Sequence, residues 1–280
     1  MASSKILLIT GVSSGFGLAL AKEALADGHT VVGTVRSEPA RQDFEAQGAG
    51  TRGKAFARVL DVTDFDAIDG VVAEIEASVG PIDVLVNNAG YGHEGVMEES
   101  PLSDMRRQFD VNVFGAVAMM KAVLPFMRQR RRGHILNITS MGGHITLPGI
   151  TYYCGSKFAL EGISGALGKE VQALGIHVTA VAPGSFRTDW AGRSMVRAPR
   201  SLPDYDAIFD PVRKAREEKS GKQLGDPKKA ARAMLAAIAS DRPPAHLLLG
   251  SDALALVRKA QSALDEEIRA WEVVSASTDG

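Results

Sequence analysis

A single α/β domain built on one doubly wound parallel sheet is predicted by three features of this 280-residue chain. Short β-branched runs alternate with helix-length segments, a glycine-rich turn follows the first run, and the length suits one large core. Apolar residues make up 45% and charged residues 23%, the balance of an ordinary folded domain. The net charge of -1 excludes a strong electrostatic footprint for nucleic acid, and no apolar run is long enough to suggest a bilayer span. The basic run RQRRRG (128–133) is read as the solvated end of a helix, where cations suit the dipole. Cys154 is the only cysteine, so no intrachain disulfide or thiolate metal cluster is expected, and no metal site is assigned. The opening MASSKILLIT lacks the pattern of a secretory signal, so a cytoplasmic protein is expected.

In chain order, seven strands are predicted: KILLIT (5–10), HTVVGTV (29–35), KAFARVLDV (54–62), IDVLVNNA (82–89), GHILNITS (133–140), IHVTAVAP (176–183) and AHLLLG (245–250). Helical patterns fall between them near 15–27, 38–47, 64–79, 103–129, 151–174 and 226–240. Right-handed crossovers then place helices on both faces of the sheet. The alternation breaks between Pro183 and Gly225, a mixed-polarity stretch with four prolines including Pro183. A connection this long is functional more often than ornamental, and it follows the carboxyl end of a strand. Residues 184–225 are therefore read as a substrate lid holding a short helix or two, with a surface insertion as the alternative. The tail, about 274–280, is expected to fray.

The first turn, LLITGVSSGFGLALAKEAL, sets Gly11, Gly15 and Gly17 between a strand and a helix. Glycines allow close backbone approach, and a helix N-terminus offers free N–H groups to a phosphate. That makes a dinucleotide cradle, although glycines needed only for packing give the same pattern. The second strand ends GTVRSEP, with Val35 where an acid would bind ribose hydroxyls and Arg36 beside it. An arginine there accommodates a 2′-phosphate. Together with the hydroxyls of Ser13 and Ser14, Arg36 favours NADP(H) over NAD(H), and Glu38 is the competing carboxylate.

The segment TYYCGSKFALEGIS (151–164) carries two adjacent tyrosines and a lysine. Lys157 lies four residues after Tyr153, so on a helix the two share a face, while Tyr152 points elsewhere. A nearby ammonium favours the phenolate, which would make Tyr153 a usable acid or base. Chance also places a Tyr and a Lys at this spacing.

With these residues in view, the chain resembles the short-chain dehydrogenase/reductase family over nearly its whole length. The resemblance is carried by TGVSSGFG (10–17), DVT (61–63), NNAG (87–90), VNVFG (111–115), Ser140, YCGSK (153–157) and PGSFRT (183–188). Ser140, thirteen residues before Tyr153, fits that family's pattern and selects Tyr153 over Tyr152. The resemblance implies a Rossmann fold and a catalytic tetrad of Asn112, Ser140, Tyr153 and Lys157. Ser140 would stabilise the substrate oxygen and Tyr153 would exchange its proton. Lys157 would hold the nicotinamide ribose and lower the tyrosine pKa, and Asn112 would anchor a water. Cofactor contacts would come from Gly11, Ser13, Ser14, Gly15, Phe16, Gly17, Arg36, Asp61, Val62, Asn88, Ala89, Gly90, Tyr153, Lys157, Pro183, Gly184 and Thr188.

The stretch SMGGHITLPGITYYCGSKFALEG looks most like the branch of 17β-hydroxysteroid and retinol dehydrogenases, which implies a lipophilic or aromatic alcohol or carbonyl substrate. Gly92, His93, Met141, His144, Leu147 and Trp190 are expected to line its pocket. Cys154 is expected to be an inert packed thiol that points away from the catalytic tyrosine. A homodimer or homotetramer through the long helices near 103–129 and 151–174 is implied by resemblance. The alternatives are an NAD(H)-dependent alcohol dehydrogenase on the same fold and a nucleotide-sensing protein without chemistry. No nucleic-acid or membrane partner is expected.

Overall fold

The computed structural model describes residues 4–188, 190, 192 and 194–280. Nine strands are described: β1 (Ile6–Thr10), β2 (Thr30–Val35), β3 (Lys54–Val59), β4 (Val84–Asn87), β5 (Gly92–Glu94), β6 (Gly133–Ile138), β7 (Ile176–Pro183), β8 (Met195–Arg197) and β9 (His246–Leu249). The α-helices are α1 (Gly15–Ala26), α2 (Glu38–Glu45), α3 (Phe65–Ser78), α4 (Leu102–Phe109), α5 (Gly115–Arg130), α6 (Thr151–Val171), α7 (Asp206–Glu218), α8 (Pro227–Ala239) and α9 (Ser251–Ala276).

Seven strands form one parallel sheet in the order β3-β2-β1-β4-β6-β7-β9. These are the seven expected from sequence, and the order reverses beside β1, so the ligand crevice opens between β1 and β4. The central strands are buried along nearly their whole length because helices cover both faces. On one face Leu20, Leu25, Met234 and Ile238 of α1 and α8 pack on β1, β2 and β7. On the other, Ile68, Val72, Met119, Val123 and Met127 of α3 and α5 pack on the opposite side chains of the same sheet.

The stretch Leu102–Arg130 is long and apolar enough to cross a membrane by length and composition. In the fold its Met119, Val123 and Met127 belong to the core, which accounts for the hydropathy. Sequence predicts one helix here, whereas a π-helical turn at Asp110–Phe114 separates α4 from α5. A turn of this kind widens the helix and redirects its side chains, and Asn112 sits on it.

The 184–225 excursion has a closed neck: Gly225 N donates to Ser185 O at 3.0 Å and Arg187 N to Gly225 O at 3.0 Å. Beyond it lie β8, a 3₁₀ turn at Pro203–Tyr205 and α7, in keeping with the expected short helix or two. Strand β8 pairs in parallel with β5 as a separate two-stranded sheet, which the sequence does not suggest. Two three-residue strands are too short for periodicity to mark. Helix α9 is also absent from the sequence-based expectations. It runs to Ala276, inside the tail expected to fray, and buries only Ala253 and Val257.

Candidate active site

Every strand of the parallel sheet points its carboxyl end to the same edge, and the predicted site residues gather there. Gly11–Gly17 follow β1, Arg36 follows β2, Asp61 and Val62 follow β3, Asn88–Gly90 follow β4, Ser140 follows β6, and Gly184–Thr188 follow β7.

The glycine turn is fixed by steric and hydrogen-bonding constraints. A Cβ on Gly17 would collide with Gly11 O and lie 2.5 Å from Asn88 Nδ2. Asn88 itself ties the first and fourth strands, its Nδ2 donating to Thr10 O and Gly11 O, both at 2.9 Å. Thr10 Oγ1 accepts from Asn88 N and Ala89 N at 2.9 Å, a role that sequence does not reveal. Gly15 differs: its φ of +59° favours glycine, and no atom lies within 4 Å of where a Cβ would stand, so the space above it is open. Helix α1 starts at this opening with no side-chain cap from Ser14 and no acidic residue in its first turn. Free N–H groups facing an open space, without a competing carboxylate, fit a phosphate. The nucleotide cradle read from sequence therefore has the right local chemistry.

At the adenine side, Asp61 is exposed and accepts from Thr63 N at 2.9 Å and Thr63 Oγ1 at 2.8 Å. Val62 is buried, and a Cβ on Gly115 would strike it at 2.9 Å, so the DVT segment is seated on the start of α5. Arg36 is exposed and makes no hydrogen bond or ion pair with any described residue. Glu38 is held by Arg41, with Nε donating to Oε1 at 2.8 Å. Phe16 meets Phe186 edge-to-face with 5.2 Å between centroids, joining the glycine turn to the end of β7. There, Ser185 N donates to Asp252 Oδ2 at 2.8 Å, and a Cβ on Gly184 would strike Asp252. Asp252 is a positioning residue from α9 with no signal in the local sequence.

Tyr153 and Lys157 emerge together on α6 as their spacing requires. The ammonium lies 5.7 Å from the Tyr153 ring centroid and donates to Ile138 O at 2.8 Å. Ser140 Oγ accepts from Gly142 N at 3.0 Å, leaving its own proton to donate toward the Tyr153 hydroxyl. Burial pushes the Tyr153 phenol up to about 12, against the smaller opposing hydrogen bond from Ser140. The depression expected from Lys157 is not found: burial dominates, and the groups that act on the phenol beside it are Ser140, Cys154 and Trp190. Burial likewise pushes Lys157 down to about 8, with the Glu161 carboxylate opposing. Asn112 spends its side chain on protein groups: Oδ1 accepts from Tyr91 N at 3.1 Å, and Nδ2 donates to Tyr91 O at 3.0 Å and Ser156 Oγ at 3.1 Å. It thus fastens the loop after β4 to α6. Tyr152 is turned away, its hydroxyl donating to Ser100 O at 2.7 Å.

Trp190 packs on Ile150, Tyr153 and Cys154, with its ring 5.1 Å from that of Tyr153. A Cβ on Gly92 would meet Trp190 and Met195, so Gly92 belongs to the same wall. Ile150 and Met195 escape a sequence reading because they border the pocket only through the fold. Met141 is half-buried beside Ser140, and Leu147 is exposed at the rim. Cys154 is a packed thiol whose pKa burial raises, as expected, but it shares the cluster of Tyr153 instead of pointing away from it. The two histidines are engaged by protein groups. His93 is buried against the Tyr152 ring with its Nε2 3.2 Å from Asp104 Oδ2. His144 turns to Glu161, 3.1 Å from Nε2 to Oε1. Each finds a carboxylate on a neighbouring helix.

Residues 5–196 match the family model of the short chain dehydrogenases. The chain belongs to the short-chain dehydrogenase/reductase family. It is 36% identical to "Oxidoreductase BOA17" of Botryotinia fuckeliana over 98% of this chain and 99% of that one. It is also 36% identical to human "Retinol dehydrogenase 8", over 87% and 80% of the two chains. Among solved structures, a short-chain dehydrogenase from Streptomyces avermitilis superposes with a TM-score of 0.91 at 40% identity, covering 100% of both chains. ElxO with NADP bound superposes at 0.75 with 25% identity, covering 90% of this chain and 100% of that one. The family is therefore that of a nicotinamide-nucleotide oxidoreductase acting on a CH–OH or carbonyl group.

Proposed function

We propose that this family member is an NADP(H)-dependent oxidoreductase interconverting a secondary alcohol and a ketone or aldehyde of a lipophilic or aromatic substrate, with Tyr153 as general acid/base. The observation that carries this reading is the pair of buried Tyr153 and Lys157, with half-buried Ser140 beside them, next to the apolar wall of Trp190, Ile150 and Met195. The bound nicotinamide supplies or accepts the hydride. The residues manage position, charge and the proton. As negative charge builds on a carbonyl oxygen, the Ser140 hydroxyl stabilises it and Tyr153 donates its proton to it. Burial holds the Tyr153 phenol protonated at neutral pH, so it has a proton to give to a carbonyl oxygen. Lys157 uses one donor on Ile138 O and keeps two for ribose hydroxyls.

Preference for the 2′-phosphate is supported by an exposed Arg36 without an ion-pair partner among the described residues and by the engagement of Glu38 with Arg41. The NADP bound to ElxO is in keeping with this. The retinol named for the human relative supports a lipophilic substrate class. A homodimer or homotetramer through α5 and α6 is supported by exposed Phe114 and Phe158 and by Gly162 and Gly165, which have no neighbour within 4 Å of a Cβ position.

The test is a pair of variants. Tyr153→Phe is expected to lower kcat by about a thousandfold or more while NADPH affinity stays within about threefold. Tyr152→Phe is expected to keep most of the activity. Reversal of those two results would assign the proton to the wrong tyrosine.

A further inference from the structure

Glu161 lies one helical turn beyond Lys157, and the catalytic reading leaves it without a task. Its carboxylate is nearly buried and is flanked by two imidazoles from separate parts of the chain. His144, after the 3₁₀ turn that follows Ser140, brings Nε2 to 3.1 Å from Oε1. His246, at the start of β9, brings Nδ1 to 2.9 Å from Oε2. One donor atom from each of the three lies within 4.8 Å of the others. Thr139 Oγ1, 2.5 Å from Oε1, holds the carboxylate in place.

A second observation separates this cluster from a plain ion pair. His144 Nε2 is buried and, despite its short distance to the carboxylate, forms no hydrogen bond with acceptable direction. The carboxylate still favours the charged imidazole, so the contact is an ion pair without good hydrogen-bond direction, which a better-placed ligand could replace. A groove of about 690 Å³, bordered by Gly165, Lys169, Gln172, His177 and Ala245, opens the cluster to solvent and gives an ion an entry path.

We propose that His144, Glu161 and His246 form a binding site for a divalent transition-metal ion of the zinc class. Two imidazoles and one carboxylate suit such an ion, whereas magnesium and calcium prefer all-oxygen shells. Three protein ligands leave a fourth position facing the groove, which a water would fill. The ion would clamp the Ser140 loop, α6 and β9 at one point. Its metal-binding test reads no turnover, so this proposal does not depend on the substrate or on nucleotide preference.

The test uses tag-free, chelator-treated, full-length protein titrated with Zn²⁺ by calorimetry and with Co²⁺ by visible absorption. Wild type is expected to bind one equivalent, to show the ligand-field bands of four-coordinate cobalt, and to melt at a higher temperature with metal. His246→Ala is expected to weaken binding by at least about tenfold and to remove the cobalt bands. His177→Ala, in the same groove but outside the cluster, should leave both unchanged. Absence of saturable binding to wild type, or equal binding by His246→Ala, would overturn the proposal and leave the cluster as an imidazole–carboxylate network.

Discussion

The nucleotide end and the lid end of the crevice are held by different means. At the glycine turn, restraint is short-range: Gly17 has no room for a single added carbon, Gly11 has little, and Asn88 ties the turn to β4 by hydrogen bonds to Thr10 O and Gly11 O. At the lid, restraint is electrostatic and spans the chain. Glu94 of β5 is fully buried, with Arg216 Nη1 2.5 Å, Arg197 Nε 3.3 Å and Arg213 Nε 3.4 Å from its carboxylate. Glu99 similarly receives Arg200 at 2.8 Å, and Arg200 also reaches Asp206 and Asp210 on α7. Steric fit makes one end nearly rigid, whereas ion pairs that reach solvent leave the other able to open. A nucleotide site needs constancy, and a lid must admit a bulky substrate.

The largest effect that would break this contrast comes from Gly17→Ala. Its methyl must displace Gly11 O or the Asn88 amide, so a loss of about 3 kcal/mol in urea unfolding and at least tenfold weaker nucleotide binding are expected. Gly15→Ala meets no atom and suffers only its positive φ, at about 1 kcal/mol. Equal effects from the two would show that crowding does not fix the turn.

Glu94→Gln probes the other end. Removing the charge leaves three arginines around a neutral amide, at a cost of about 2 kcal/mol because all three retain some solvent contact. Faster limited proteolysis within 195–218 and a raised KM are expected, with nucleotide affinity unchanged. A parallel loss of nucleotide affinity would mean that the two ends are not independent.

The smallest expected effect concerns the sheet that both ends share. His134 of β6 bonds Thr179 Oγ1 at 2.9 Å, and burial pushes its imidazole down to about 4. The unfolded chain therefore binds the extra proton first, and stability falls as pH drops from about 6.5 toward 4. Between about pH 7.5 and pH 5.5 that is roughly 1 kcal/mol, measured as a shift in the urea midpoint. His134→Gln should flatten this slope; an unchanged slope would place the titrating group elsewhere.

The same contrast explains what the sequence discloses. The glycine turn, the seven sheet strands and the Tyr153–Lys157 pair are local patterns, set by periods of two and about four residues and by spacing within one turn. The Glu94 ion pairs are not legible, since Glu94 and Arg216 are 122 residues apart. Nor is the π turn at Asn112, which leaves helical periodicity almost intact, or the pairing of β5 with β8. His93 and His144 have the residue type and position of pocket side chains, and only the fold shows the carboxylates that claim them. The signal for α9 is present in Ala253, Val257, Ala260, Leu264, Ile268 and Trp271 at intervals of three and four. Beyond Ala260 that helix is exposed throughout, so no neighbouring described element reinforces the pattern there.

The most direct test of the central claim is the absorbance of reduced nucleotide in the presence of wild-type protein and a panel of lipophilic and aromatic ketones. NADPH is expected to be consumed with at least one of them, and NADH at least about tenfold less efficiently, a difference of about 1.4 kcal/mol. Consumption of neither nucleotide across the panel, or faster consumption of NADH, would contradict the account.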